Sequence, residues 1–186
     1  MRRLAAFFMV SLDGYFEAPD RNDFSWHNVD DEFNEFALKQ LDASDALLFG
    51  RTTYQGMAEF WPTAAAIESD PEVAARMNTL PKLVFSRTLE RPEPEWANTR
   101  LINDGIAQEL TKLKQQPGKD LLVLASSVLT TSLIDAGVLD ELRIIVNPVI
   151  LGGGRALFHG EQARIRVKLT SSRQFRSGNV LLTYAV

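Results

Sequence analysis

The chain has no cysteine, which excludes disulfides, thiolate metal sites and a cysteine nucleophile. Histidine is nearly missing as well. His27 and His159 are the two present, and nothing in their placement has the ligand spacing of a zinc motif, so no metal is expected. Positive charge is in deficit, because 20 Lys and Arg face 24 Asp and Glu for a formal net charge of −4. A nucleic-acid surface needs clustered cations to neutralise phosphates, so small molecules are the expected partners. Long apolar runs are absent. No stretch approaches the roughly 20 residues of a membrane span, and the Arg2-Arg3 start leads into only about seven apolar residues, short for a secretory signal. The expectation is a cytoplasmic enzyme or binding protein with no membrane association.

What is present suits one globular domain over residues 1–186. Hydrophobic residues make up 45% and charged residues 24%, enough apolar side chains for a well-buried core at this length. Strand-like runs recur at Leu4 to Val10, Ala46 to Phe49, Lys82 to Phe85, Thr99 to Ile102, Leu121 to Ala125, Glu141 to Asn147, Ile165 to Phe175 and Val180 to Ala185. Helical spacing lies between several of them, over Asp31 to Leu41, Thr53 to Phe60, Pro71 to Asn78, Ile106 to Gln115 and Ser127 to Ala136. Alternation of this kind implies a parallel sheet with helical crossovers. The last two runs, joined through Arg176-Ser177-Gly178-Asn179, predict an antiparallel hairpin. The expected fold is an α/β three-layer domain with a mixed, mostly parallel sheet of about eight strands.

The stretch Leu47 to Gly56 carries the most chemistry, since a short strand there runs directly into Gly50-Arg51-Thr52-Thr53. Gly50 permits a sharp turn, Thr52 or Thr53 is a candidate helix cap, and the free N–H groups of a first helical turn attract anions. Arg51 adds a charged fork suited to phosphate. An ordinary strand-to-helix turn with a solvated arginine has the same sequence.

Five segments together resemble the dihydrofolate reductase superfamily, in particular the branch related to the C-terminal reductase domain of riboflavin-biosynthesis proteins. They are Ser11 to Phe16, Gly50 to Tyr54, Lys82 to Arg87, Gly137 to Leu142, and Pro148 to Gly154. The resemblance implies an eight-stranded, mostly parallel sheet and NADPH as hydride donor. On it, Gly50, Arg51, Thr52 and Thr53 hold the adenosine-side phosphates, Ser86 and Arg87 hold the ribose with its 2′-phosphate, and the loop through Phe16 passes beside the nicotinamide. It also implies a homodimer, which the apolar residues Val180, Leu181, Leu182 and Tyr184 of the C-terminal hairpin support as an edge in need of cover.

One departure stands out. Where the family carries a glycine pair or Gly-Ser between strand and helix, this chain reads Ala125-Ser126-Ser127. A side chain at Ala125 limits the approach of a pyrophosphate, and in the folate enzymes this linkage is cis. Ser126 and Ser127 still offer hydroxyls to an anion. The riboflavin reductases also carry an acidic residue where this chain has Leu124, so their own substrate is not expected.

At the substrate end, Trp26 is followed five residues later by Asp31 at a helix start, the spacing of the folate enzymes. Hydride addition to a C=N carbon must be matched by a proton at nitrogen, which a carboxylate supports. Asp31 is therefore the catalytic candidate, while Asp30 and Asp31 read equally as helix-capping residues. Trp26, Phe33 and Phe36, with Trp61, are candidates to line an apolar slot; aromatic residues at helical spacing also build cores. His27 sits in the same loop as the candidate imidazole for the site and reads equally as an exposed loop histidine, and His159 reads as structural or exposed. Gly152 to Gly154 lacks the strand-then-helix context of a dinucleotide fingerprint and reads as a turn. Three functions remain: an NADPH-dependent reductase of a pterin-like or other planar heterocycle, a catalytically degenerate relative that binds ligands or partners, or a generic nucleotide-binding α/β protein of another family.

Overall fold

A computed structural model describes residues 1–21, 23–158 and 164–186; His159 lies outside the described residues. The sheet is built on β1 (Leu4–Ser11), β3 (Ser44–Gly50) and β6 (Asp120–Leu124), flanked by β4 (Lys82–Phe85), β5 (Thr99–Ile102) and β7 (Glu141–Asn147). These six run parallel. The hairpin of β9 (Lys168–Gln174) and β10 (Val180–Ala185) completes eight strands in the order β5-β4-β3-β6-β1-β7-β10-β9, with β10 antiparallel to β7. The mixed, mostly parallel sheet expected from the alternation of runs is thus present.

Strand alternation sorts the core into two layers. Along β1, Leu4, Ala6, Phe8 and Val10 face one layer while Ala5 and Phe7 face the other, as a period of two requires. The first layer is closed by α5 (Ile106–Gln115) and α6 (Ser127–Asp135), which contribute Leu110, Leu129 and Leu133. On the second side lie α1 (Asp31–Asp42), α2 (Arg51–Phe60) and α4 (Pro71–Thr79), contributing Leu41, Tyr54, Ala58, Val73 and Met77. Both faces of the central strands are covered, which is why β3 and β6 read as continuous apolar runs.

Three short elements escape the periodicity. The six-residue α3 (Ala64–Ser69) is capped by Thr63, and β2 (Tyr15–Glu17) pairs antiparallel with β8 (Arg155–Ala156) as a separate two-stranded ribbon. Gly154 explains that pairing, since its φ of +126° and the carbonyl oxygen of Glu17 only 2.2 Å from where a Cβ would sit admit no side chain. Two edge expectations need correction. Residues 164–167 precede β9 without regular structure, and β10 lies between β7 and β9, so β9 rather than the Val180-to-Tyr184 strand is the exposed edge. Leu181 is buried in the core.

At the N-terminal end of β4, Lys82 is fully buried. Its Nζ donates to the carbonyls of Asn78 at 2.8 Å and Ala97 at 3.1 Å and lies 4.3 Å from the Trp96 ring centre. Burial pushes this ammonium down to about 8. The lysine ties α4 to the chain entering β5, at the sheet edge opposite the one described next.

Candidate active site

The six parallel strands bring their C-terminal ends to one edge. Because β6 follows β3 in the chain by a long excursion yet sits between β3 and β1, connections leave in opposite directions there and open a crevice, the usual ligand position in such sheets.

At the β3–β6 junction two helices begin side by side. Gly50 is the N-cap of α2 and supplies no side chain, so the first-turn N–H groups of Arg51, Thr52 and Thr53 have no side-chain cap. Thr52 and Thr53 lie inside the helix, which corrects the expectation that one of them caps it. Ser126 is the N-cap of α6 and makes no capping bond either; its hydroxyl instead accepts from the Gly50 N–H at 2.7 Å. Ala125 at φ +48° and Ser126 at φ +33° both occupy the left-handed region, where side chains are strained. The one cis bond among the described residues is Glu93–Pro94, so the Ala125–Ser126 linkage is trans, unlike that of the folate enzymes. Ser127, the first residue of α6, is buried.

One strand further out, the β4 end carries the second arginine. Arg51 reaches from α2 to donate to Thr88 Oγ1 at 3.1 Å, next to exposed Arg87, so the two arginines do share one end of the edge. Ser86 is buried, and its hydroxyl accepts the N–H groups of Thr88 at 3.3 Å and Leu89 at 3.1 Å. It shapes the turn that presents Arg87. A cleft of about 380 Å³ follows, lined by Thr88, Leu89, Glu90, Arg91 and Glu93.

On the other side of the crevice, the chain leaves β1 through a loop that Asp13 fastens. Its carboxylate accepts from the N–H groups of Leu151 at 3.1 Å and Gly152 at 2.8 Å. The Ser11 hydroxyl, then those two N–H groups, hold it below the usual carboxylate range. This clasp was invisible in sequence, where Asp13-Gly14 reads only as turn chemistry. Phe16, on β2, packs edge-on against Phe8 at 6.1 Å with the Arg155 guanidinium 5.6 Å from its ring. The triple glycine is the turn into β8, as expected.

The start of α1 lies beyond the β1 and β7 ends. Asp30, in extended backbone, is its N-cap and accepts from the Phe33 N–H at 2.8 Å, while Asp31 is the first helical residue and is exposed. Capping of α1 therefore falls to Asp30 and not to Asp31. Phe33 and Phe36 form an aromatic cluster with Phe7 and Phe175, with ring centres 5.6–6.5 Å apart; both are half-buried core partners with one side toward the α1 start. Trp61 is corrected: it is the C-cap of α2, its Nε1 on Met57 Sδ, at the far end of the helix from Gly50.

Three asparagines that sequence reasoning passed over fix the loop before α1. Asn28 N–H donates to Asn147 Oδ1 at 2.9 Å, Asn28 Nδ2 to the Ser177 carbonyl at 2.8 Å, and Asn179 Nδ2 to the Asn28 carbonyl at 2.7 Å. Asn147 and Asn179 are fully buried. Amides next to turns were the only signal available, since pairings across 119 to 151 residues leave no periodic trace. Around this knot Trp26 Nε1, His27 Nε2, Ser177 Oγ and Asn179 Oδ1 are buried without a hydrogen-bond partner, an arrangement that buried polar atoms seldom keep without water or ligand.

His27 packs edge-on against Trp26 at 4.2 Å, and burial pushes its imidazole down to about 4 against the opposing pull of Asp23. The folded pKa lies below the unfolded value near 6.5, so the unfolded chain binds the proton first. Stability should be flat above about pH 6.5 and fall by about 3 kcal/mol as pH drops from there to 4. Melting curves of the parent and His27→Gln that fall in parallel over this range would reject the assignment.

Among the described residues no three or more His, Asp or Glu side chains are grouped to hold a metal, and no helix is long and apolar enough to cross a membrane. The family model of the RibD C-terminal domain matches residues 2–181. The chain belongs to that family. It is 32% identical over 185 residues, 98% of this chain and 94% of the other, to the uncharacterized protein YyaP of Bacillus subtilis strain 168. RibD-type architecture recurs in solved structures. A putative riboflavin biosynthesis protein from Shewanella sp. PV-4 superposes with a TM-score of 0.73 at 24% identity, covering 98% of both chains. The dihydrofolate reductase of Enterococcus faecalis, complexed with NADP(H), gives 0.58 at 15% identity over 98% of this chain and 95% of that one. The RibD C-terminal family thus shares its fold with dihydrofolate reductase, and this chain has the architecture of a riboflavin-pathway type of reductase.

Proposed function

We propose that the chain is an NADPH-dependent reductase of a pterin-like or other planar heterocycle, acting as a cytoplasmic homodimer. The observation that carries this reading is the pair of uncapped helix N-termini, α2 and α6, meeting at the β3–β6 crevice beside Arg51 and Arg87. That donor set fits a dinucleotide: backbone N–H groups and helix dipoles favour a pyrophosphate, and two arginine forks favour the further phosphate that separates NADPH from NADH. The E. faecalis reductase, complexed with NADP(H), supports the same choice.

NADPH, when bound, supplies the hydride. The chain's own residues bind, orient and protonate. The N–H groups of Arg51, Thr52 and Thr53, with Ser126 and Ser127, hold phosphates; Arg51, Ser86 and Arg87 hold the phosphorylated ribose; Phe16 offers an apolar wall. A ligand anchored at β3 must cross β6 to present a reacting ring at β1, two strand spacings or about 10 Å. There Trp26, Phe33 and Phe36 flank the heterocycle, and the Asp31 carboxylate supports a proton at the ring nitrogen. Saturable NADPH binding, read by tryptophan fluorescence or calorimetry, tests the reading; silence rejects it.

The alternative, a relative without turnover, is favoured by the side chains at Ala125 and Ser126 and by the serine hydroxyl on the Gly50 N–H. The dimer rests on the exposed β9 edge and on half-exposed Leu169, surface that soluble proteins cover. A single-chain mass by light scattering at micromolar concentration rejects it.

A further inference from the structure

We infer that Glu32 is a positioning residue for the proposed reduction: its carboxylate clasps the β9–β10 hairpin and so fixes where the first turn of α1 presents the neighbouring Asp31 carboxylate. This rests on the reading of Asp31 as the group that supports a proton at the substrate, and adds what holds it in place. Glu32 Oε1 accepts from the Arg173 guanidinium at 2.7 Å and Oε2 from the Arg176 N–H at 2.9 Å, with Arg176 Nε at 3.8 Å. Both oxygens are engaged. The side chain is 18% exposed, and the Arg176 N–H first, with the Arg173 guanidinium second, holds its carboxyl below the usual carboxylate range, so the clasp is charged and closed at neutral pH.

The hairpin grips α1 at two points. Beyond its bond to Glu32, the Arg173 guanidinium lies 4.5 Å from the ring centre of Phe175, which is 1% exposed and stands edge-on to Phe36 at 6.2 Å. Phe36 follows Glu32 by four residues, so both lie on one face of the helix. A polar clasp at Glu32 and an aromatic contact at Phe36 together set the rotation of α1 about its axis, which either alone would leave loose. On the other side of Asp31, Asn28 binds the Ser177 carbonyl and Asn179 in the same hairpin turn. Asp31 thus sits between two residues that grip residues 173–179, while no hydrogen bond among the described residues holds its own exposed carboxylate. Its place is set by its neighbours. An acid in the first turn of a helix also serves the helix dipole, and that role alone would cost stability and leave chemistry untouched.

NADPH oxidation by the full chain tests this with 7,8-dihydropterin as probe, whose C=N bond takes the hydride at carbon and the proton at nitrogen, in the parent, Glu32→Gln, Arg173→Met, Arg176→Ala, Asp31→Asn and the double variant Glu32→Gln/Asp31→Asn. Glutamine keeps the length of the side chain but offers one oxygen where two donors wait. A shift of about 1 Å in a reacting group costs up to roughly 100-fold in rate, so Glu32→Gln and Arg173→Met should each lower kcat by about tenfold, with the Kd for NADPH at the parent value. Arg176→Ala keeps the backbone N–H and should cost far less than Arg173→Met. In the Asp31→Asn background the carboxylate to be positioned is gone, so adding Glu32→Gln should cost nothing further in kcat while its shift in melting temperature persists. Hydrogen exchange gives a reading free of turnover: the Phe33 N–H, held by Asp30 at 2.8 Å, should exchange several-fold faster in Glu32→Gln than in the parent. Circular dichroism checks each fold, and Arg173→Met carries the test where Glu32→Gln does not fold. The same tenfold loss repeated in the Asp31→Asn background overturns the inference, because Glu32 then serves the helix as a whole; so does parent kcat in Glu32→Gln, or a Phe33 amide that exchanges at the parent rate. Turnover that needs Asp31 and ignores Glu32 leaves the reductase reading standing without the clasp. A parent that leaves the probe unreduced overturns the inference together with the reading beneath it.

Discussion

Asp31→Asn is expected to lower reductase turnover by about 100-fold or more while leaving NADPH binding and the melting temperature at parent values. The size follows from general acid–base assistance, which contributes on this scale. The amide keeps the shape of the side chain and loses the negative charge that supports protonation of a ring nitrogen. Stability is spared for a structural reason: the bond to the Phe33 N–H comes from Asp30, and Asp31 stands exposed at the first helical position. Asp30→Ala should show the opposite pattern. Loss of the cap costs about 1 kcal/mol, a drop of roughly 2–4 °C in a domain of this size, with chemistry retained if the helix start holds its place. Full turnover in Asp31→Asn, measured on any substrate the parent reduces, would move the proton source to Asp30, His27 or a bound water.

A second large effect is expected at the arginines. The parent should bind NADPH more tightly than NADH, and Arg51→Ala and Arg87→Ala should each weaken NADPH by roughly 1.5–3 kcal/mol, the value of a hydrogen bond to a charged group, with NADH hardly changed. The contact between Arg51 and Thr88 is exposed, so its loss contributes little to stability, and melting temperatures should stay within about a degree or two. Calorimetry on both nucleotides separates the outcomes. Equal affinities for NADPH and NADH in the parent would remove the 2′-phosphate from the assignment of both side chains.

The fold was legible because its signal is periodic. Unbroken apolar runs at Leu4 to Val10 and Leu121 to Leu124 mark strands covered on both faces, and the spacing of Phe33, Phe36, Ala37 and Leu41 marks a helix laid on one of them. Elements of two to six residues, α3, β2 and β8, are too short to show a period. The uncapped β3–α2 junction was legible in part, since a glycine between an apolar run and a helical pattern marks such a turn whatever the surrounding fold. What stayed hidden was which atom answers which. Sequence offered Thr52 or Thr53 as the cap of α2 and gave Asp30 and Asp31 equal claim on α1, because capping depends on a single backbone turn and neighbouring residues differ by one position only. The Asn28, Asn147 and Asn179 knot and the Ser126 to Gly50 bond join residues far apart in the chain, and such pairings depend on topology that composition does not encode.

The placement of the α1 start by that knot has a practical consequence for how such a scaffold changes its target. The loop from Leu12 to Asp30 is fastened at Asp13 to Leu151 and Gly152, and at Asn28 to Asn147, Ser177 and Asn179, all of them on or after β7. None of these anchors belongs to α2, β4 or α6. Loop and hairpin turn can therefore vary in concert, by drift or by grafting, while the β3–β6 junction keeps its residues, so that one end of the crevice is inherited as a single exchangeable cassette beside an unaltered other end.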